Sequence, residues 1–362
     1  MKSSKSFNRK FRTVLWICLG WTLVSVLQLL YELAVLKEYG YSYRWSNADS
    51  VMTYFLINTL AFVLNGFIAG LVIVFFLQHW IRDRSYSLGI LYGVAVYSSL
   101  FFIMTALQNY FVVRSIWDGS GSFFAAYVQG LRDYFFSYEF VRMFPFWLLV
   151  LIATLIALLV NDKYGPGVLK NFLLGRYFHP RSEQRIFMFL DLKGSTTIAE
   201  KLGEQKYFNF IKRVFRDVTP ALLATQGEIY QYVGDEIVIT WTVKQGVKKL
   251  NCIRCFEQIR KILADKAARY REDFGAIPQF KAGLHVGTAI VGEIGVIKRD
   301  IAYSGDVLNT TARIQSLCNE YGETLLLSGE ILKLLPTAQL VPKPLGEVVL
   351  RGKTKAVELY GL

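Results

Sequence analysis

Four apolar runs constrain this chain more than any other feature: about residues 14–36, 51–78, 88–113 and 144–160 read as nearly uninterrupted hydrophobic stretches. A helix needs roughly 20 apolar residues to cross a bilayer core, and the last run, though short, is unbroken. In hydrocarbon a backbone satisfies its polar groups only as a helix or a closed barrel. Runs of this length without period-2 alternation therefore read as four transmembrane helices. The 362-residue chain is 53% hydrophobic and 19% charged, too apolar for one ordinary soluble globule. The first run is too long, and lacks the small-residue cleavage site, to be a removable signal peptide.

Basic residues set the expected orientation. Lys2, Lys5, Arg9, Lys10 and Arg12 precede the first span, and Arg82 and Arg84 lie between the second and third, so these segments are expected on the cytoplasmic side. An even number of spans then places both termini in the cytoplasm of an integral membrane protein, of the kind found in a bacterial inner or plasma membrane. Gln28, Glu32, Asn58 and Asn65 lie in or near spans. Polar groups are costly there, so they imply packing hydrogen bonds or a cavity for an unidentified membrane ligand. The aromatic segment SFFAAYVQGLRDYFFSYEFVRMF (122–144) reads as an amphipathic helix at the outer interface, an anchor or a cap over such a cavity.

From about residue 160 the apolar excess ends. Gly165, Pro166, Gly167 and Pro180 break up residues 161–182 into a linker, and residues 183–362 have the mixed polarity and length of a domain with its own core. This half reads as a strand (185–192), two helices (196–225), a hairpin (228–242), a long helix (246–270), a hairpin around Gly287 (281–294), a helix (306–319) and further strands. The fold class is α+β: a four-helix transmembrane domain (1–160), then an antiparallel sheet with helices on one face.

Both halves are basic, with 12 Lys and Arg against 7 acids up to residue 160 and 29 against 21 beyond it. The cations are dispersed and lack the aromatic-interleaved strip of a single-strand binder, so no nucleic-acid partner is expected. Cys252 and Cys255 form a CxxC inside a helical pattern with no second pair, which reads as buried helix cysteines rather than zinc or redox chemistry. Three scattered histidines, His79, His179 and His285, cannot build a paired haem or zinc site.

The chemistry concentrates in two strand ends. In FLDLKGST, Asp191 closes an apolar strand, Leu192 can offer its carbonyl oxygen, and Gly194, Ser195 and Thr196 open a helix whose N–H groups can cradle phosphates. In YVGDEIVI, Asp235 sits on a hairpin turn. Two such carboxylates on neighbouring strands can hold a pair of divalent cations against a triphosphate. In SGDVLNTTARI, Asn309 and Arg313 stand four residues apart on a helix and share a face.

In this order these motifs resemble the catalytic domain of class III nucleotidyl cyclases, the adenylate and guanylate cyclase family, in its membrane-integral bacterial form; the resemblance covers about residue 183 onward. It implies a ferredoxin-like or palm-type domain. It also implies two Mg²⁺ or Mn²⁺ ions per site on Asp191, Asp235 and the Leu192 carbonyl, and attack of the ribose 3′-hydroxyl on the α-phosphorus with loss of pyrophosphate. By resemblance Asn309 orients the ribose, Arg313 stabilises the developing charge, and Lys353 in LRGKTKAVELYGL holds the terminal phosphates. The sites would be shared across a homodimer, with the aspartates of one protomer facing Gln231, Asn309, Arg313 and Lys353 of the other.

The chain departs from the family where the base is read. The adenine-reading lysine and acid of adenylate cyclases align with Gln231 and Ala302, and Ala302 can neither donate nor accept, which leaves Tyr303, Ser304 or backbone groups as readers. ATP is expected, because no acid replaces the lysine, with GTP as the alternative. The other readings are a diguanylate cyclase, opposed by the DVLNTTAR helix and the Lys353 loop, and a membrane receptor whose cyclase-like domain binds nucleotide without turnover, opposed by the intact carboxylates.

Overall fold

The computed structural model describes residues 2–38, 51–77, 86–117, 119–164, 175, 177–297, 299–336 and 340–362. Two compact units divide at Leu169 and Lys170. The greater part of the expected linker, His79, and the basic loop with Arg82 and Arg84 lie outside the described residues, as does Arg44.

The first unit is helical: α1 (Lys2–Glu38), α2 (Val51–Leu71) running into a π-helical turn at Val72–Leu77, α3 (Tyr86–Ile116), α4 (Phe123–Phe135) and α5 (Tyr138–Tyr164). Among the described residues three stretches are long and apolar enough to cross a membrane, Lys10–Val35, Ser87–Phe111 and Phe140–Lys163. Of the expected span at 51–78 the described apolar helix is the shorter Val63–Leu77. Packing shows its direction. Gly66 lies against Cys18 and Trp21, Gly70 against Val14, and the Cys18 thiol donates to the Val63 carbonyl at 3.4 Å. Sequence numbers that rise on one helix as they fall on the other define an antiparallel pair, and small residues at the crossing let the backbones approach.

Polar groups within this unit pair with one another. Arg142 meets Glu32 at 2.6 Å, the Gln28 amide donates to Glu32 at 3.2 Å, and Trp21 Nε1 donates to Thr154 at 3.0 Å. The 122–144 segment forms α4, capped by Ser122, and then the start of α5. Phe102 and Phe135 meet Phe140 and Phe144 in a ring cluster between α3, α4 and α5.

Among its described residues the second unit has eight strands: β1 (Arg181–Leu192), β2 (Glu228–Val233), β3 (Glu236–Thr242), β4 (Phe280–Ile294), β5 (Asp300–Ser304), β6 (Leu325–Ser328), β7 (Lys343–Val348) and β8 (Val357–Gly361). They form one sheet in the order β2-β3-β1-β4-β6-β8-β7, with β5 paired to β4. All described pairings are antiparallel except β4 with β6, so the sheet is mixed.

Alternation along β1 sorts the two faces. Ile186, Met188 and Leu190, all fully buried, face the main core with α7 (Glu204–Ala224) and α9 (Asn251–Asp265). Burying each such side chain favours folding by about 1.5–3 kcal/mol. Phe187 and Phe189 face the other way, toward Val238, Ala289 and Val307 of helix α11 (Asp306–Ser316). Helices therefore lie on both faces, not on one.

Two local expectations are corrected. Residues 281–294 form no hairpin: β4 runs straight through Gly287, and the hairpin lies beyond it, between β4 and β5. Gly283 and Gly287, four residues apart and thus on one face, make room for α11. A Cβ on Gly283 would stand 2.5 Å from the Gln315 amide nitrogen, and one on Gly287 3.0 Å from Val307. The long helix at 246–270 is also interrupted. Lys249 and Leu250 both have φ near 55°, after the short α8 (Val243–Val247), and α9 then gives way to α10 (Ala267–Phe274). Cys252 and Cys255 are free and buried on α9, and burial pushes both thiols up to about 12, so they are inert.

Candidate active site

Asp191 lies at the far end of β1 on the face that carries α11. Its Oδ2 accepts from Gln315 Nε2 at 3.0 Å and stands 3.2 Å from the Lys281 ammonium, its partner across the β1–β4 pair. Asp235 lies in the β2–β3 turn, made possible by Gly234 at φ 60°. Its Oδ2 is buried and finds no hydrogen-bond partner among the described residues. An anionic oxygen removed from water without a donor is costly unless a cation compensates it.

The β1–β3 register, with Leu190 opposite Ile237, brings Asp191 and the Asp235 turn to the same end of the sheet, and two neighbours feel both charges. Glu236 is pushed up to about 7, first by burial and then by the charges of Asp191 and Asp235. The Tyr207 hydroxyl, bonded to Ser195, is raised by burial and by the same two aspartates. Like charges gathered with an orphaned oxygen fit a divalent cation. Among the described residues no three His, Cys, Asp or Glu side chains form a complete metal site. Two protein carboxylates plus oxygens from a bound phosphate chain match that donor set.

Leu192 ends β1 with its side chain buried, which sets its backbone beside Asp191. Gly194, in the left-handed region at φ 64°, then turns the chain into α6 (Ser195–Leu202), with Ser195 and Thr196 in its first turn. The left-handed step is what lets a buried strand end and a helix start lie within three residues.

A second group forms around α11. The Lys353 ammonium bonds the Asp306 carboxylate, which is held below the ordinary range chiefly by that bond. Arg313 lies against Gly352, where a Cβ would come within 3.5 Å of its Nη2. Asn309 is exposed. The C-terminal loop and the Asn309/Arg313 helix are thus one assembly. Tyr303 is packed rather than open: its ring meets Tyr230 at 5.0 Å and Phe187 at 5.6 Å, with the Arg185 guanidinium 5.1 Å from its centre. Gln231 and Ala302, which follow and precede these tyrosines in sequence, flank that cluster on β2 and β5. Sequence reading missed Lys281, Gln315, Glu236 and Tyr207. The third acid of GDE was a visible signal for Glu236, whereas the others are ordinary residues whose part depends on register and helix placement.

Residues 179–362 match the family model for the adenylate and guanylate cyclase catalytic domain, and the chain belongs to this family. It is 38% identical over 205 residues to Adenylate cyclase 2 of Rhizobium meliloti (strain 1021), covering 56% of each chain. It is 24% identical over 181 residues to Adenylate cyclase of Anabaena cylindrica, covering 48% of this chain and 35% of that one. The chain thus spans about half the length or less of these relatives. A solved bacterial light-regulated adenylyl cyclase shares the fold, with a TM-score of 0.52 at 23% identity over 60% of this chain and 63% of that one.

Proposed function

We propose that the protein is a membrane-anchored adenylate cyclase that converts ATP to 3′,5′-cyclic AMP and pyrophosphate in active sites shared by two copies. The buried Asp235 Oδ2, unpartnered among the described residues and at the same sheet end as Asp191, carries this reading, because it is a carboxylate oxygen left open to an incoming cation. The resemblance to relatives named adenylate cyclases supports ATP over GTP.

In this reading Asp191, Asp235 and the Leu192 carbonyl hold two Mg²⁺ or Mn²⁺ ions, which would supply Lewis acidity toward the ribose 3′-hydroxyl and the phosphate oxygens. The chain's own residues align and neutralise. The N–H groups at Gly194, Ser195 and Thr196 donate to phosphate oxygens. Lys281, which stands 3.2 Å from Asp191, would contribute positive charge near the triphosphate with the ions bound. From the partner copy come Asn309 for the ribose, Arg313 for the charge that develops at the α-phosphoryl group, and Lys353, freed from Asp306, for the leaving pyrophosphate. Preorganised cations of this kind stabilise the transition state without a strong base. Gln231, Ala302 and Tyr303 border the base. Of these, Gln231 can bond adenine, while Tyr303 acts by packing.

Exposed Ile290, Ile294, Val296 and Ile297 on the β4–β5 hairpin and Tyr232 and Val233 on β2 supply apolar surface for a second copy. For the membrane unit, α2 runs antiparallel to α1 at Gly66 and Gly70, so a bilayer crossed by one is crossed by the other. Four spans (14–36, 51–78, 88–113, 144–160) would then lie in residues 1–160, the linker read at 161–182 would be confined between the end of α5 and the start of β1, and the cyclase domain 183–362 would lie in the cytoplasm with both termini.

The full-length chain bearing Asp191→Ala and the full-length chain bearing Arg313→Ala should each be inactive, and their co-expressed mixture should regain up to about a quarter of wild-type activity with ATP and Mn²⁺, from the one intact site of a mixed dimer. Product chromatography reads cyclic AMP. Cyclic GMP from GTP at a higher rate would transfer the assignment to a guanylate cyclase, and metal-dependent nucleotide binding without product would support a receptor.

A further inference from the structure

Gln315 has no part in the reaction as drawn, yet the residue is only 7% exposed and its amide donates to Asp191 Oδ2 at 3.0 Å. It stands two residues beyond Arg313 on α11, roughly 200° around the helix, so the two side chains leave by opposite sides. The contact is built in from the sheet as well. Gly283, on β4 next to the strand that ends in Asp191, lies so close under α11 that a Cβ would be 2.5 Å from the Gln315 nitrogen and 2.8 Å from its Cα. The close approach of helix to strand is what brings the amide within reach of the carboxylate.

An amide donor and the Lys281 ammonium, 3.2 Å away, both engage the same oxygen, Oδ2. The lysine is a charge that an incoming cation displaces. A neutral amide does not compete in that way, and it would hold the Asp191 carboxylate in one orientation for a bound cation. Ligating carboxylates are commonly oriented by such outer hydrogen bonds, whose loss costs about 10–100-fold in metal affinity.

We infer that Gln315 is a positioning residue that orients Asp191 of its own protomer for divalent-cation binding, so that one helix, α11, serves two sites at once: its Asn309 and Arg313 reach into the partner's site, and its Gln315 steadies the metal carboxylate of its own. This rests on the shared-site reading above.

The test uses full-length protein in detergent with Gln315→Met, which keeps the volume and removes the donor. Electron paramagnetic resonance of free Mn²⁺, with a 3′-deoxynucleoside triphosphate present that cannot cyclise, should show Mn²⁺ affinity weakened about tenfold. Nucleotide KM at saturating Mn²⁺ and the metal-free melting temperature should stay near wild type. Unaltered Mn²⁺ affinity would overturn the inference, and so would a weakened affinity matched by a collapsed melting temperature in both Gln315→Met and Gln315→Leu.

A second arm places Gln315→Met in the mixed dimer of Asp191→Ala and Arg313→Ala chains. In the Arg313→Ala chain, which supplies the working Asp191, it should raise the Mn²⁺ requirement about tenfold, and in the Asp191→Ala chain it should change nothing. Equal effects from either placement would overturn the assignment of Gln315 to its own protomer's carboxylate. A mixture with no activity would strike the shared-site reading alone, and the resonance measurement would still decide Gln315.

Discussion

His285 illustrates how burial sets the behaviour of one side chain. It lies on β4, nine-tenths buried, with Nδ1 2.7 Å from Ser328 Oγ, and Ser328 in turn accepts from the Ile331 amide. Burial, the largest influence, holds the imidazole below its ordinary 6.5, and Lys353 acts in the same direction against Glu330 and Asp306. The folded protein therefore binds fewer protons here than the unfolded chain. The associated stability is present in full above about pH 6.5 and is lost as the pH falls from there through the depressed folded value. Replacing His285 with Gln, which keeps a polar group and does not titrate, should flatten the decline in melting temperature between pH 7.5 and 5.5. Each kcal/mol of linkage corresponds to about 2–4 °C in a unit of this size. An unchanged pH profile would refute this account. At this scale the positions of Asp191 and Asp235 at a strand end and a turn were legible, because an acid that closes an apolar strand and an acid in a Gly-Asp turn each leave a local pattern. The contacts of Lys281 and Gln315 with Asp191 were not, because nothing in FKAG or RIQS announces them.

Elements were legible where periodicity was strong and went astray where glycine carried two meanings. The run from Lys281 to Ile294 invites a turn at Gly287, since glycine commonly marks turns. The strand continues, and the glycines serve a helix that crosses it. Gly283→Ala should accordingly lower the unfolding free energy by about 1–3 kcal/mol in urea denaturation, the usual cost of an inserted methyl in a tight contact. On the proposed function, cyclic-nucleotide synthesis should fall further than the folded fraction does, because α11 carries Asn309, Arg313 and Gln315. Wild-type stability in this variant would show that α11 can move aside. The interruption at Lys249 and Leu250 was equally hidden, since neither residue breaks the helical pattern and both adopt positive φ only under tertiary constraint.

For the whole molecule, the division into an apolar helical unit and an α+β unit follows from composition, because about 20 apolar residues in a row have few fates in water. The proposed four-crossing arrangement makes a direct statement about sidedness. A tag at either end of the full-length chain should be digested by protease added to inverted inner-membrane vesicles and protected in intact spheroplasts. Opposite fates for the two tags would require an odd number of crossings.

Local chemistry, then, was determined by sequence alone: where apolar runs lie, which strands end in carboxylates, and which helix bears an asparagine and an arginine on one face. Such features depend on residue type and spacing, which the covalent chain already contains. Tertiary structure alone decided that β4 pairs with β6 in parallel, that α11 lies on the face opposite α7 and α9, and that Lys281 and Gln315 converge on one oxygen of Asp191. Those relations join residues far apart in the chain through side-chain packing between elements, and no local pattern encodes which distant partner a packed surface will meet.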